Sequence, residues 1–128
     1  NDQERLFVYK KTLSISSLFD LCSFKKNLRL FYGGWNKNVE NLFKNQSLFI
    51  LAKEKKIKSV FLSKGIVSCL FDPLFFKSFD TVINKTSSFF KKRGLFFRFI
   101  ETKDSLVVDF EFATQGGYGV IYSYLKGL

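Results

Sequence analysis

"KGIVSCLFDPLFF", Lys64 to Phe76, decides how the chain is read. An apolar run stops abruptly at Phe71-Asp72-Pro73, the mark of a buried strand that ends at an acid. In open α/β sheets, ligands and reacting groups sit at the carboxyl ends of strands. Asp72 is therefore either a chemical group or the structural end of a strand.

The flanking sequence favours structure. The chain contains no His, which removes the commonest general base and metal ligand and any Ser-His or Cys-His pair. Asp72 and Asp80 are close enough in sequence to share Mg²⁺, but "PLFFKSF" between them offers few ligands, and Asp80 suits a helix N-cap. The single glycine cluster, Gly116-Gly117-Tyr118-Gly119, precedes an expected strand, so it does not cradle phosphate. Cys22 and Cys69 lack metal-ligand spacing and read as buried thiols in a reducing compartment. No catalytic residue, metal or cofactor is expected, and Asp72 is read as capping or pairing in the loop that follows.

Outward from that strand, the chain reads as alternating element types. Arg5–Lys10, Leu13–Asp20 and Asn27–Tyr32 are predicted as strands of an antiparallel meander, with a turn at Lys25-Lys26-Asn27. From about Asn38 the period becomes helical, running through Val39, Leu42, Phe43, Phe49, Ile50, Ile57, Val60 and Phe61. Asn38 or Asn45 caps the start, and Gly65 closes the end. Ile66–Asp72 is a strand. Asp80 opens a second helix ending in Lys91-Lys92-Arg93-Gly94, and Leu95–Glu101 is again a strand. Val108, Phe110 and Phe112, then Tyr118, Val120, Tyr122 and Tyr124, alternate as strands. Turns fall at Lys103-Asp104-Ser105 and Gln115-Gly116-Gly117. The fold class is α/β (α+β): a mixed, mostly antiparallel sheet in the order β-β-β-α-β-α-β, two packed helices and a C-terminal β extension.

The 128 residues suit one core. Twenty-one Lys and Arg against eleven acids leave a charge of +10, which points to a polyanionic partner. The eighteen Phe are assigned mostly to the core, with the excess buried against neighbours. No apolar run approaches a membrane span, and the N-terminus lacks a signal-peptide pattern. The absence of Met suggests that the start of the chain has been processed or lost, and the Phe-, Leu-, Ser- and Lys-rich composition fits a T- and A-rich organellar gene.

Three segments resemble the large-subunit ribosomal protein eighteen family, which binds 5S rRNA. They are "RLFVYKKTLSIS" (Arg5 to Ser16), "KKNLRLFY" (Lys25 to Tyr32) and "KGIVSCLFD" (Lys64 to Asp72), followed at similar spacing by "RGLFF" (Arg93 to Phe97). The Arg-Gly-Gly and His-Gly-Arg stretches of that family are absent. The resemblance implies a domain over 1–97 and a β-rich extension over 98–128. It implies a non-enzymatic constituent of a mitochondrial ribosome, in the matrix, near the central protuberance. Its partners would be rRNA (5S rRNA where the particle has one) and neighbouring ribosomal proteins, with no small-molecule substrate. Arg5, Lys10, Lys11, Lys25, Lys26 and Lys77 would contact rRNA. Phe75, Phe76, Tyr118, Tyr122 and Tyr124 would meet protein neighbours, and the tail is expected to pair with a neighbour rather than with its own sheet. The alternatives are an accessory subunit of another organellar complex and the small-subunit ribosomal protein eleven family.

Overall fold

The structure, a computed structural model, describes residues 2–112 and 117–128. The fold is α+β, with five α-helices and one four-stranded antiparallel sheet among the described residues. It divides into two compact units, Asn1–Ile50 and Leu51–Leu128.

The first unit is helical. It comprises α1 (Asp2–Ser14), α2 (Leu18–Tyr32) and α3 (Lys37–Glu54) as far as Ile50. The three strands expected here, Arg5–Lys10, Leu13–Asp20 and Asn27–Tyr32, are not formed: their residues lie in α1 and α2 and in the break between them. Packing explains the correction. Leu21 and Leu28 are two helical turns apart on α2, and Val39, Phe43 and Ile50 follow at one turn and then two turns on α3. With Ile15 they form one buried cluster, against which Val8, Leu18, Phe24 and Trp35 pack. Each such burial contributes about 1.5–3 kcal/mol, whereas β-propensity differences span about 1 kcal/mol, so the helical pattern prevails.

Local chemistry sets the ends. The Ser17 hydroxyl accepts from the Asp20 amide at 3.0 Å, an N-cap that opens α2. Gly33, at φ 74°, closes it and donates its N–H to the Arg29 carbonyl. Lys25-Lys26-Asn27 is thus mid-helix, not a turn. Asn36, rather than Asn38 or Asn45, supplies the oxygen that accepts from Val39 N–H at the start of α3. Buried Gln46 donates to the Ile15 carbonyl at 2.8 Å, satisfying an acceptor freed at the end of α1.

The second unit is a sheet with two helices. Its strands β1 (Ile57–Ser63), β2 (Ile66–Phe71), β3 (Phe97–Glu101) and β4 (Leu106–Glu111) lie in the order β1-β2-β4-β3. Ile57, Val60 and Phe61, read as the end of a helical stripe, belong to β1. Lys64 (φ 52°) and Gly65 (φ 77°) both take positive φ between the paired residues Ser63 and Ile66. This is the two-residue turn that suits strand twist, so Gly65 turns a hairpin instead of ending a helix.

β2 ends as the sequence implies. Phe71 is buried, and Asp72 accepts from the Leu74 amide at 3.0 Å, capping a 3-10 turn over Pro73–Phe75. Helix α4 spans Asp80–Arg93, with Asp80 inside its first turn rather than at the cap. The Asp80 amide donates to the Ser78 hydroxyl. Gly94, at φ 63°, ends α4.

The C-terminal segment departs most from expectation. β4 lies between β2 and β3, so the tail completes this chain's own sheet rather than a neighbour's. Leu106, Val108 and Phe110 are fully buried and need strands on both sides of them. Phe97 and Arg98, where a domain boundary was expected, are consecutive residues of β3. Tyr118–Tyr124 is helical, in α5 (Gly117–Gly127); Ile121, Tyr124 and Leu125 form its buried stripe. Of the expected turn at Gln115-Gly116-Gly117, Gln115 and Gly116 lie outside the described residues.

Helices α4 and α5 cover one sheet face. The Phe90 ring stacks on Phe110 with centroids 4.7 Å apart, and Tyr124 lies 4.9 Å from Phe90 and 5.3 Å from Phe110. The Thr86 and Tyr124 hydroxyls share a buried hydrogen bond of 2.7 Å. On the opposite face Asp109 accepts from Ser68 Oγ at 2.6 Å and from Arg98 Nε at 2.8 Å.

Candidate functional site

No group of three or more His, Cys, Asp or Glu residues capable of holding a metal occurs among the described residues. The most developed polar-aromatic constellation is the corner between α2 and α3. Gly33 and Gly34, at φ 74° and 146°, fold the chain back after α2 and place Trp35 against α3. The Trp35 indole N–H donates to the Glu40 carboxylate, and its ring meets Phe43 edge-on at 5.0 Å. The Arg29 guanidinium stands 5.0 Å from the indole centroid. One turn earlier on α2, the Lys25 ammonium lies 5.9 Å from that ring and 5.6 Å from Phe43.

Beside Trp35 opens a pocket of about 230 Å³, lined in part by Arg5, Val8, Leu28, Tyr32 and Val39. Its size suits one or two side chains of a protein partner better than a cofactor. Further round α2, Leu30 and Phe31 are 81% and 82% exposed, and the exposed Tyr32 that follows them lines the pocket. Aromatic groups and Arg around an apolar pocket are the chemistry of protein-docking anchors.

The sequence-selected residues are scattered. Arg5, Lys10 and Lys11 lie on α1, and Lys25 and Lys26 on α2; Arg5 and Lys25 join the corner, the others are exposed. Lys77 is exposed in the loop before α4. Phe75 is exposed, with the Lys56 ammonium 4.9 Å from its ring centre, while Phe76 packs on Phe71 and Phe79. Tyr118 meets Phe112 edge-on and is half-buried. Tyr122 is half-buried beneath Lys126. Tyr124 lies in the core on its Thr86 bond. Burial raises the Tyr124 phenol above its ordinary range, so the group stays protonated. Burial, helped by Asp109, pushes the Cys69 thiol up to about 12. Cys22, expected to be buried, is exposed. Trp35 and Arg29 were not singled out from sequence, although Gly33-Gly34-Trp35 marks a chain reversal ending on the one Trp of the chain.

A family model described as the TRCF domain matches residues 1–81, which include the whole corner. The chain belongs to the TRCF-domain family. The family assignment overturns the ribosomal reading. The segments at Arg5–Ser16 and Lys25–Tyr32 that carried it as strands are helices, and of the three only Lys64–Asp72 forms the strand expected of it. The rRNA and ribosomal-protein partners inferred from it fall with it. The fold of this TRCF-family chain is similar to the crystal structure of the C-terminal domain of transcription-repair coupling factor. The TM-score is 0.67 over 98% of this chain and 81% of that one, at 13% identity. No curated protein matches significantly. No described helix is long and apolar enough to cross a membrane.

Proposed function

We propose that this chain is a non-catalytic docking domain serving the coupling of transcription to DNA repair, with the α2–α3 corner as its partner-binding surface. The family match across residues 1–81 carries the reading. Tyr32 and the Trp35 pocket, with exposed Phe31 beside them on α2, supply apolar anchors, and Arg29 and Lys25 supply charge against the Trp35 ring. The lack of His argues against acid–base chemistry. The net charge of +10 supports work beside nucleic acid through phosphates, without base reading. The mitochondrial-matrix localisation drew on the ribosomal resemblance, which is withdrawn, and on the Phe-, Leu-, Ser- and Lys-rich composition, which still fits an organellar gene.

The test is strand-specific lesion repair in cells that depend on this protein. Phe31→Ser with Trp35→Ala should lower repair of the transcribed strand to the rate of the other strand. Circular dichroism should show the fold retained, since Phe31 is exposed and Trp35 is outside the fully buried set. A folded double variant with unchanged strand bias refutes the proposal.

A further inference from the structure

A second surface lies in the other unit, at the free edge of β1. β1 is the terminal strand of the sheet, so its backbone groups on the side away from β2 meet no described strand. Natural edges are blunted with charge, bulges or short length. The opposite edge, β3, follows that rule: it is five residues long and carries Arg98 and Glu101. β1 is seven residues long, and its one irregularity lies at its start, between Ile57 and Ser59. Beyond that point it presents Val60, Phe61 and Leu62, 40%, 60% and 59% exposed. Val60 and Leu62 pair with Cys69 and Val67 on the helix-covered face, while Phe61 pairs with Ser68 on the other. A strand laid along this edge would find apolar contacts on both faces.

The charge identifies the occupant. Lys55, Lys56, Lys58 and Lys64 flank the apolar triplet, and no acid occurs from Lys55 to Phe71. We propose that β1 receives an extended, acid-flanked segment of a partner protein by strand addition: backbone pairing supplies affinity, and the lysines select acidic flanks. A second copy of this chain is a poor occupant, because antiparallel pairing of two β1 edges sets lysine against lysine. DNA is also a poor occupant, since phosphates gain nothing from the apolar centre. The inference is independent of the α2–α3 corner.

The test titrates the isotope-labelled full chain with a synthetic peptide of about ten residues, Val and Thr alternating between Glu- and Asp-rich ends. Saturable amide shifts and slowed exchange should map to β1. The same peptide N-methylated at alternate residues, which keeps side chains and charge but cannot pair, should not bind. Lys58→Glu with Lys64→Glu, both at exposed positions, should weaken the acidic peptide about five- to tenfold and favour a Lys-ended one. Four results overturn the proposal: equal binding of the methylated peptide, shifts confined to other elements, β1 protection growing with protein concentration alone, or β1 shifts caused by a short DNA duplex and not by the peptide.

Discussion

Replacing Thr86 by Val and Tyr124 by Phe, singly and together, tests whether the buried hydroxyl pair holds α4 and α5 on the sheet. The two oxygens are 2.7 Å apart and both side chains are fully buried. Tyr124→Phe keeps the ring that packs on Phe90, Phe110 and Phe89 and removes only the hydroxyl. Thr86 can then turn its hydroxyl to a carbonyl one turn back in α4, so the cost should be about 1 kcal/mol. Thr86→Val strands the Tyr124 hydroxyl in an aromatic cluster and should cost more, about 1–3 kcal/mol. The double variant leaves no orphan and should be less destabilised than the sum of the singles by about 1 kcal/mol or more.

The measurement is native-state hydrogen exchange of β2 and β4 amides, which reports opening of the sheet unit alone. Thermal unfolding by circular dichroism gives the same ranking, at roughly 4–8 °C per kcal/mol for a unit of this size. Strictly additive costs, or a Thr86→Val cost below that of Tyr124→Phe, would refute the argument that the pair satisfies itself in a dry site.

Cys69 gives the pH prediction. Its thiol is raised from 9.0 to about 12, mainly by burial, so the folded state holds a proton that the unfolded chain releases. The stability this contributes is complete below pH 9.0 and is lost as pH rises toward about 12. Cys69→Ala should flatten that alkaline decline in urea titrations, and an unchanged slope would show that other groups cause it. Native protein should react with a maleimide at exposed Cys22 and not at Cys69 until it unfolds; rapid labelling of both would contradict the burial. Asp72→Ala should remove the cap on the turn over Pro73–Phe75 at a cost of about 0.5–2 kcal/mol. It should leave partner binding intact, and a binding defect without loss of stability would restore a chemical role to Asp72.

Within the sheet half β2, β3, β4 and α4 were legible in the sequence for local reasons, whereas β1 was read as helix and α5 as strands. Ile66–Phe71 is a short apolar run closed by Asp72-Pro73, and Lys103-Asp104-Ser105 separates two alternating runs that pair as β3 and β4. In α4 the apolar stripe, the terminal lysines and Gly94 agree. The misread elements are those where two periods share the same residues. Tyr118, Val120, Tyr122 and Tyr124 alternate as in a strand, while Ile121, Tyr124 and Leu125 recur as in a helix; burial of the second set decides. The same ambiguity hid α2, whose Phe and Leu content suggested strands. Ser17 with Asp20 three residues on, and Gly33 after Tyr32, were readable helix boundaries. The α2–α3 corner was not legible, because Lys25, Arg29 and Trp35 converge only when α2 is helical and the chain reverses at Gly33-Gly34.

The phenylalanines carry the last step. They were assigned mostly to a core, yet only Phe43, Phe71, Phe90 and Phe110 are fully buried. Phe7, Phe19, Phe31, Phe49, Phe61, Phe75 and Phe96 are exposed. Single exposed apolar residues are ordinary, but Leu30, Phe31 and Tyr32 are contiguous, as are Val60, Phe61 and Leu62. Left bare, such surfaces drive a protein to aggregate with itself. The charge of +10 opposes this, because each copy repels the next. That repulsion does not act against an acidic partner, for which the same lysines are an attraction. If the proposed acidic partner binds, excess charge and surface Phe would work together, disfavouring self-association while leaving the exposed apolar residues open to a partner of opposite charge.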